Sequence, residues 1–92
     1  MEDFEIHWTD YMTYRLHLRG FDIATVERIV RYSDERYFDT VTGRSVVVGR
    51  YHQHLAIIPY ERVAQTLTPV TIHVTSRQQI LFRLKSGRFR HE

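Results

Sequence analysis

The chain has 92 residues, 42% of them hydrophobic and 26% charged, with a formal net charge of +2 and no cysteine. A chain of this length makes one domain, residues 1–92, and the composition is that of a folded globular protein rather than a disordered one. Disulfides, zinc–cysteine sites and thiol catalysis are excluded, and no apolar run approaches the ~20 residues needed to span a bilayer. The opening Met1-Glu2-Asp3-Phe4-Glu5 lacks the basic and apolar regions of a signal peptide, so a cytoplasmic location is expected.

Charge is distributed unevenly. Residues 1–43 carry five arginines against nine acids, whereas residues 44–92 carry seven arginines and Lys85 against only Glu61 and Glu92. Arginine's planar fork suits phosphate and carboxylate partners, and a basic half suggests an anionic partner on one surface. Compositional bias toward arginine explains the same count without any binding role.

Residues 3–8 alternate polar and apolar side chains, which suits a short strand or an extended arm. Thr9 follows as a helix N-cap with Asp10 in the first turn. Tyr11, Met12, Arg15, Leu16 and Leu18 recur at helical spacing until Gly20 stops the run. Asp22 caps a second helix, whose apolar stripe is Ile23, Val26, Ile29 and Val30 and which ends near Ser33. Residues 36–41 are aromatic and β-branched and read as a strand. Thr42-Gly43 is a turn, and residues 44–51 form a second strand whose three consecutive valines suggest cover on both faces.

His52-Gln53 makes a two-residue turn into a third strand, residues 54–58, with Pro59 marking an edge or the strand's end. Residues 61–69 have no clear period and read as a loop. Residues 70–75 alternate and form a fourth strand. Ser76 with Gln79 matches a capping box, so a helix is expected over 77–86, with a strand as the alternative. Gly87 suits the position after that helix, and residues 88–92 read as a frayed tail. The expected class is α+β: two N-terminal helices packed on one face of a four-stranded, mainly antiparallel sheet, with a C-terminal helix.

Several groups are candidates for chemistry. His52-x-His54 would share one strand face and bind zinc, but a third ligand is needed, and a turn between the two would separate them. No metal or other cofactor is therefore assigned. His73 falls opposite Ile72 and Val74; if the helices cover the apolar face, it lies on an open sheet face with Thr71 and Thr75 that would suit an RNA strand, and an exposed strand histidine with no role accounts for the same placement. Arg77, Arg83, Lys85, Arg88 and Arg90 cluster near the end, with Phe82 and Phe89 between them. Phosphates need grouped cations, and aromatic rings stack on unpaired bases. A solvated helix face with Phe82 in the core accounts for the same pattern. Metal-independent RNA cleavage needs only the 2′-hydroxyl, a group to deprotonate it and cations around the phosphate. The adjacent pairs Arg50-Tyr51 and Tyr60-Arg62 offer such groups, although most tyrosines in small domains line the core rim.

The stretch Tyr11-Met12-Thr13-Tyr14-Arg15-Leu16-His17-Leu18-Arg19-Gly20-Phe21-Asp22, followed by Val26 and Ile29-Val30, resembles the opening of a family of small bacterial domains of unknown function. That family is related to BrnT toxins and, more remotely, to the RelE/ParE toxin superfamily. Arg15, Arg19 and Gly20 match its spacing, whereas the family's usual histidine falls on Tyr11. The resemblance implies a RelE/ParE-like domain acting as the toxin of a type II toxin–antitoxin system. RelE-like members cleave mRNA, commonly on the ribosome and without metal, ParE-like members inhibit gyrase, and both are held by a small antitoxin.

The expected function is thus a metal-independent endoribonuclease acting on mRNA, with a cognate antitoxin as protein partner and no membrane association. His54, Tyr60, Arg77 and Arg83 are the candidate catalytic residues, and Arg50, Arg62, Lys85 and Arg88 the candidate nucleic-acid contacts. The alternatives are a non-catalytic module binding nucleic acid or an acidic protein, and a homodimer pairing acidic with basic halves. The first reading requires the late guanidinium groups to converge on one patch.

Overall fold

The structure, a computed structural model, describes residues 3–92. The order of elements is β1 (Glu5–Ile6), α1 (Asp10–Arg19), α2 (Ile23–Tyr32), β2 (Arg36–Asp39), β3 (Arg44–Tyr51), β4 (His54–Val63), β5 (Thr66–Pro69), β6 (His73–Thr75), α3 (Arg77–Lys85) and β7 (Phe89–His91). This is an α+β domain, with seven strands among the described residues rather than four. The sheet runs β1-β5-β4-β3-β2-β7, with β6 pairing β4 beyond the end of β5. Among the described residues, only the β1–β5 pair is parallel.

The helices begin and end on local chemistry. Thr9 Oγ1 accepts from the Met12 N–H at 3.0 Å, and Asp22 Oδ2 accepts from the Thr25 N–H at 3.1 Å. Gly20 has φ 72°, a left-handed conformation that a side chain would strain. There Phe21 N–H returns to Leu16 O at 2.9 Å and Gly20 N–H to His17 O at 3.2 Å, closing α1 with a Schellman pair. The end of α2 is closed from a distance: the Arg36 guanidinium donates to Ser33 O at 3.0 Å and to Val30 O at 2.5 Å. Ser76 caps α3 through Gln79 N–H as expected, but Gln79 Oε1 accepts from the Thr75 hydroxyl instead of completing the box.

Alternation along β3 divides the core. Val47 joins Met12, Leu16, Val26, Ile29 and Val30 on the α1/α2 side. Val46 and Val48 join Tyr37, Ile57, Ile80 and Phe89 on the α3 side. The valine run is therefore covered on both faces, and the helices do not share one face: α3 lies opposite α1 and α2. Each buried valine or isoleucine is worth about 1.5–3 kcal/mol relative to exposure. Gly49 lets α2 approach β3, because an added Cβ would sit 2.5 Å from Ile29 Cγ2.

Four sequence expectations are corrected here. Pro59 lies inside β4, opposite Val46. Its carbonyl accepts from Val70 N–H at 2.8 Å, so its donor-less nitrogen faces the same edge, where residues 70–72 interrupt the pairing between β5 and β6. Residues 61–69 are not a loop: β4 continues to Val63 and turns back into β5, which pairs with it from Tyr60↔Pro69 to Val63↔Thr66. The fourth expected strand shrinks to His73–Thr75. The expected frayed tail is β7, paired with β2 through Tyr37↔His91 and Asp39↔Phe89.

Candidate functional site

The expected arginine cluster is dispersed. Arg77, at the start of α3, is held by Glu35 through Nη1 at 2.5 Å and Nη2 at 3.1 Å. Glu35 also accepts from the Tyr37 hydroxyl at 2.7 Å. Burial opposes the Glu35 charge, but the Arg77 and Tyr37 hydrogen bonds outweigh it and hold the carboxyl below its usual range. Burial and the Glu35 carboxylate together push the Tyr37 phenol up to about 12. Arg77 is therefore committed to an ion pair.

The other candidates lie apart from it. Arg50 and His54 are exposed at the β3–β4 turn, the hairpin end remote from Arg44 and Pro59. Tyr60 is buried on the α1/α2 side, its ring under the Arg36 guanidinium at 5.5 Å and its hydroxyl 3.4 Å from Glu92 Oε1. Arg62 stacks over Phe4 at 5.1 Å and donates to Ala64 O at 3.2 Å. Lys85 is exposed in the last turn of α3, and Phe82 is exposed rather than in the core. His52 has φ 53° in the turn and packs edge-on against Tyr51 at 4.5 Å, so it leaves the strand face of His54. Among the described residues, no three His, Asp or Glu side chains gather as metal ligands.

Two of the expected residues, Arg83 and Arg88, do meet. They line a groove on the α3 side of the sheet together with Arg44, Thr71, His73 and Asp39. Its floor includes Ile57 and Pro59 of β4 and Val46 of β3, and its volume is about 280 Å³. Arg83 reaches from α3 over the Phe89 ring, 5.5 Å from its centroid. Arg44 enters from the turn that opens β3, its Nε 3.4 Å from the Glu61 carboxylate in an exposed pair.

His73 lies on this face because it pairs with Ile57, a residue of the α3-side core. The face is not the open bed expected from alternation: α3 covers part of it, and Thr75 is buried. What remains uncovered is the groove. Burial holds the His73 imidazole below its usual proton affinity, and the positive charges of Arg15, Arg19 and Arg83 add to the effect. Arg15 and Arg19 belong to α1, so the charges that lower the proton affinity of this histidine come from α1 as well as α3.

Asp39 is the groove's one carboxylate. It is 4% exposed, accepts from Arg88 Nε and Nη2 at 3.0 Å each, and accepts from Val41 N–H at 2.9 Å. Burial opposes its charge, but Arg88 and the turn amides prevail and keep its pKa low. Arg88 is thereby fixed at the groove wall with its charge partly neutralised, leaving Arg83, His73 and, beside its exposed Glu61 partner, Arg44 as the groups facing an incoming anion.

Sequence reasoning left Arg44, Arg15 and Arg19 without a role in the site. Arg44 follows the Thr42-Gly43 turn, but its convergence with Arg83 depends on β2–β3 register and on α3 crossing the sheet.

Comparison with protein-family models, with curated proteins and with solved structures returns no match for this chain. The groove therefore rests on its own geometry. Among the described residues, no helix is long and apolar enough to cross a membrane.

Proposed function

We propose that the chain is the toxin of a type II toxin–antitoxin pair, of RelE/ParE-like kind, and that it cleaves RNA without a metal in the groove between α3 and the sheet. The late arginine cluster expected from the sequence does not converge, so one observation of a different set carries this reading: His73 shares a groove with Arg44 of β3, Arg83 of α3 and Arg88 from the segment between α3 and β7.

The chemistry follows from that placement. A phosphodiester in the groove would meet Arg83 and Arg44, whose guanidinium groups stabilise the charge that builds on phosphate oxygens. His73, kept neutral by burial and its cationic neighbours, is a proton acceptor near neutral pH. It would take the proton of the 2′-hydroxyl as that oxygen attacks the adjacent phosphorus, and the 5′-oxygen would leave. The resemblance of Tyr11–Asp22 to BrnT-related domains supports the same reading.

The test is expression of the parent chain beside His73→Ala and Arg83→Ala, scored by growth and by RNA integrity. Growth arrest with fragmented RNA in the parent, relieved in both variants, supports the proposal. Intact RNA with salt-dependent RNA binding that Arg83→Ala weakens would replace it with the second reading, a non-catalytic binding module. Asp39 favours that second reading to one extent, since it already engages Arg88.

A further inference from the structure

The outer face of α1 carries an apolar strip that none of the described residues covers. Tyr11, Tyr14 and Leu18 are 57%, 61% and 65% exposed. Residues of a helix turn by about 100° each, so positions 11, 14 and 18 stand in one line, away from the core residues Met12 and Leu16. Scattered surface apolars need no explanation, but an aligned strip of large ones marks an interaction site.

Arg15 and Arg19 border this strip on one side. Among the described residues neither has an ion-pair partner, and Arg15 Nε is shut off from solvent without an acceptor. The remaining guanidinium donors of both residues are uncommitted to any carboxylate of the described residues. The strip is thus apolar in the middle and cationic along one flank.

We propose that this face is the docking surface for an acidic, amphipathic segment of another protein. Aliphatic side chains seat on Tyr11, Tyr14 and Leu18, and carboxylates pair with Arg15 and Arg19. A second copy of the chain fits less well. In an antiparallel two-fold pair, Arg15 and Arg19 would face their own copies, and in a parallel pair Asp10 alone would serve both. An RNA strand would stack on the tyrosines but gains nothing from Leu18.

The experiment uses the whole chain and two designed helical peptides of about 15 residues, a length that sustains a helix. They share a leucine face and differ only in carrying glutamates or lysines beside it. Fluorescence anisotropy should show the glutamate peptide binding at least tenfold tighter than the lysine peptide. Leu18→Asp and the pair Arg15→Gln with Arg19→Gln should each weaken it about tenfold, or ~1.4 kcal/mol. Leu18 is exposed, so its substitution leaves the fold intact.

Equal affinity for both peptides, or indifference to Leu18→Asp, overturns the docking proposal. So does a dimer in light scattering that Leu18→Asp dissociates, or a short oligoribonucleotide that loses affinity in Leu18→Asp. An inert groove in the RNA assay leaves these measurements untouched, so the two proposals can fail separately.

Discussion

Asp39 and Arg88, 49 positions apart, are joined by two hydrogen bonds of 3.0 Å. The pair sits where β2, the turn into β3 and the approach to β7 meet. Thr40 N–H and its hydroxyl also donate to Arg88 O, at 2.8 and 2.9 Å. Asp39→Asn should cost about 2 kcal/mol, a hydrogen bond to a charged group discounted for the partly exposed arginine. Urea denaturation checks this. The carboxyl titrates low in the fold, so its contribution is full above the ordinary value of 3.8 and is lost as the pH falls through the folded-state value. The variant should flatten that acid limb.

Arg77→Ala should behave as a change in a surface ion pair. We expect a loss of about 1 kcal/mol or less, because the Arg77 side chain is largely exposed. RNA cleavage should fall far less than in Arg83→Ala, for which a loss of about a hundredfold is expected of a phosphate-stabilising donor. Parallel stability and cleavage assays of the two variants decide whether Arg77 serves the fold or the reaction.

Glu35→Gln should bring the Tyr37 phenol down from about 12 toward 10.0, since the neighbouring carboxylate is one of the causes of the rise beside burial. Alkaline absorbance titration, compared with the parent, reads this directly. The unfolded chain releases the phenolic proton near 10.0 and the folded chain retains it to about 12. Native stability should therefore decline as the pH climbs through that interval, and less steeply in the variant.

The His73 midpoint should lie below 6.5 by NMR and should rise in Arg83→Gln and in Arg19→Gln, with burial accounting for the remainder. The unfolded chain takes up this proton near 6.5 before the folded one does. His73 therefore withdraws stability as the solution is acidified below that point. A midpoint unmoved by both arginine substitutions would show that neither cation bears on the imidazole.

Gly49→Ala should destabilise by about 1–3 kcal/mol through overpacking, as the new methyl drives into Ile29 and lifts α2 from β3. For a domain of this size each kcal/mol moves Tm by about 4–8 °C. A thermal melt checks it, and Gly49→Ala with Ile29→Val should recover part of the loss.

What could be read from the chain beforehand was local. Thr9, Gly20, Asp22 and Ser76 carry their cap chemistry within a few positions: Thr9, Asp22 and Ser76 open helices and Gly20 closes one, although the Gln79 half of the capping box turns to Thr75. Both strands of the β3–β4 hairpin start where the turn residues put them. The failures are non-local. Phe89–His91 becomes a strand only because β2 offers an edge and Asp39 holds Arg88. Pro59 looks like a terminator until the partner strand is seen to break opposite its nitrogen. The arginine cluster looked convergent because Glu35 and Asp39, which engage two of its members, come from the acidic half of the chain. The groove combines β3, residues 70–73, α3 and Arg88, and no sequence window contains them all.

The single parallel contact, β1 against β5, has a bearing on how the molecule assembles. It consists of Glu5↔Thr66 and Ile6↔Leu67, partners separated by most of the polypeptide. Closing so long a loop costs entropy that only a handful of bonds repays, whereas the β3–β4 hairpin forms from neighbours. The hairpin is accordingly the natural nucleus, and the arm at residues 5–6 is the last piece to lock and the first to be released when the domain opens.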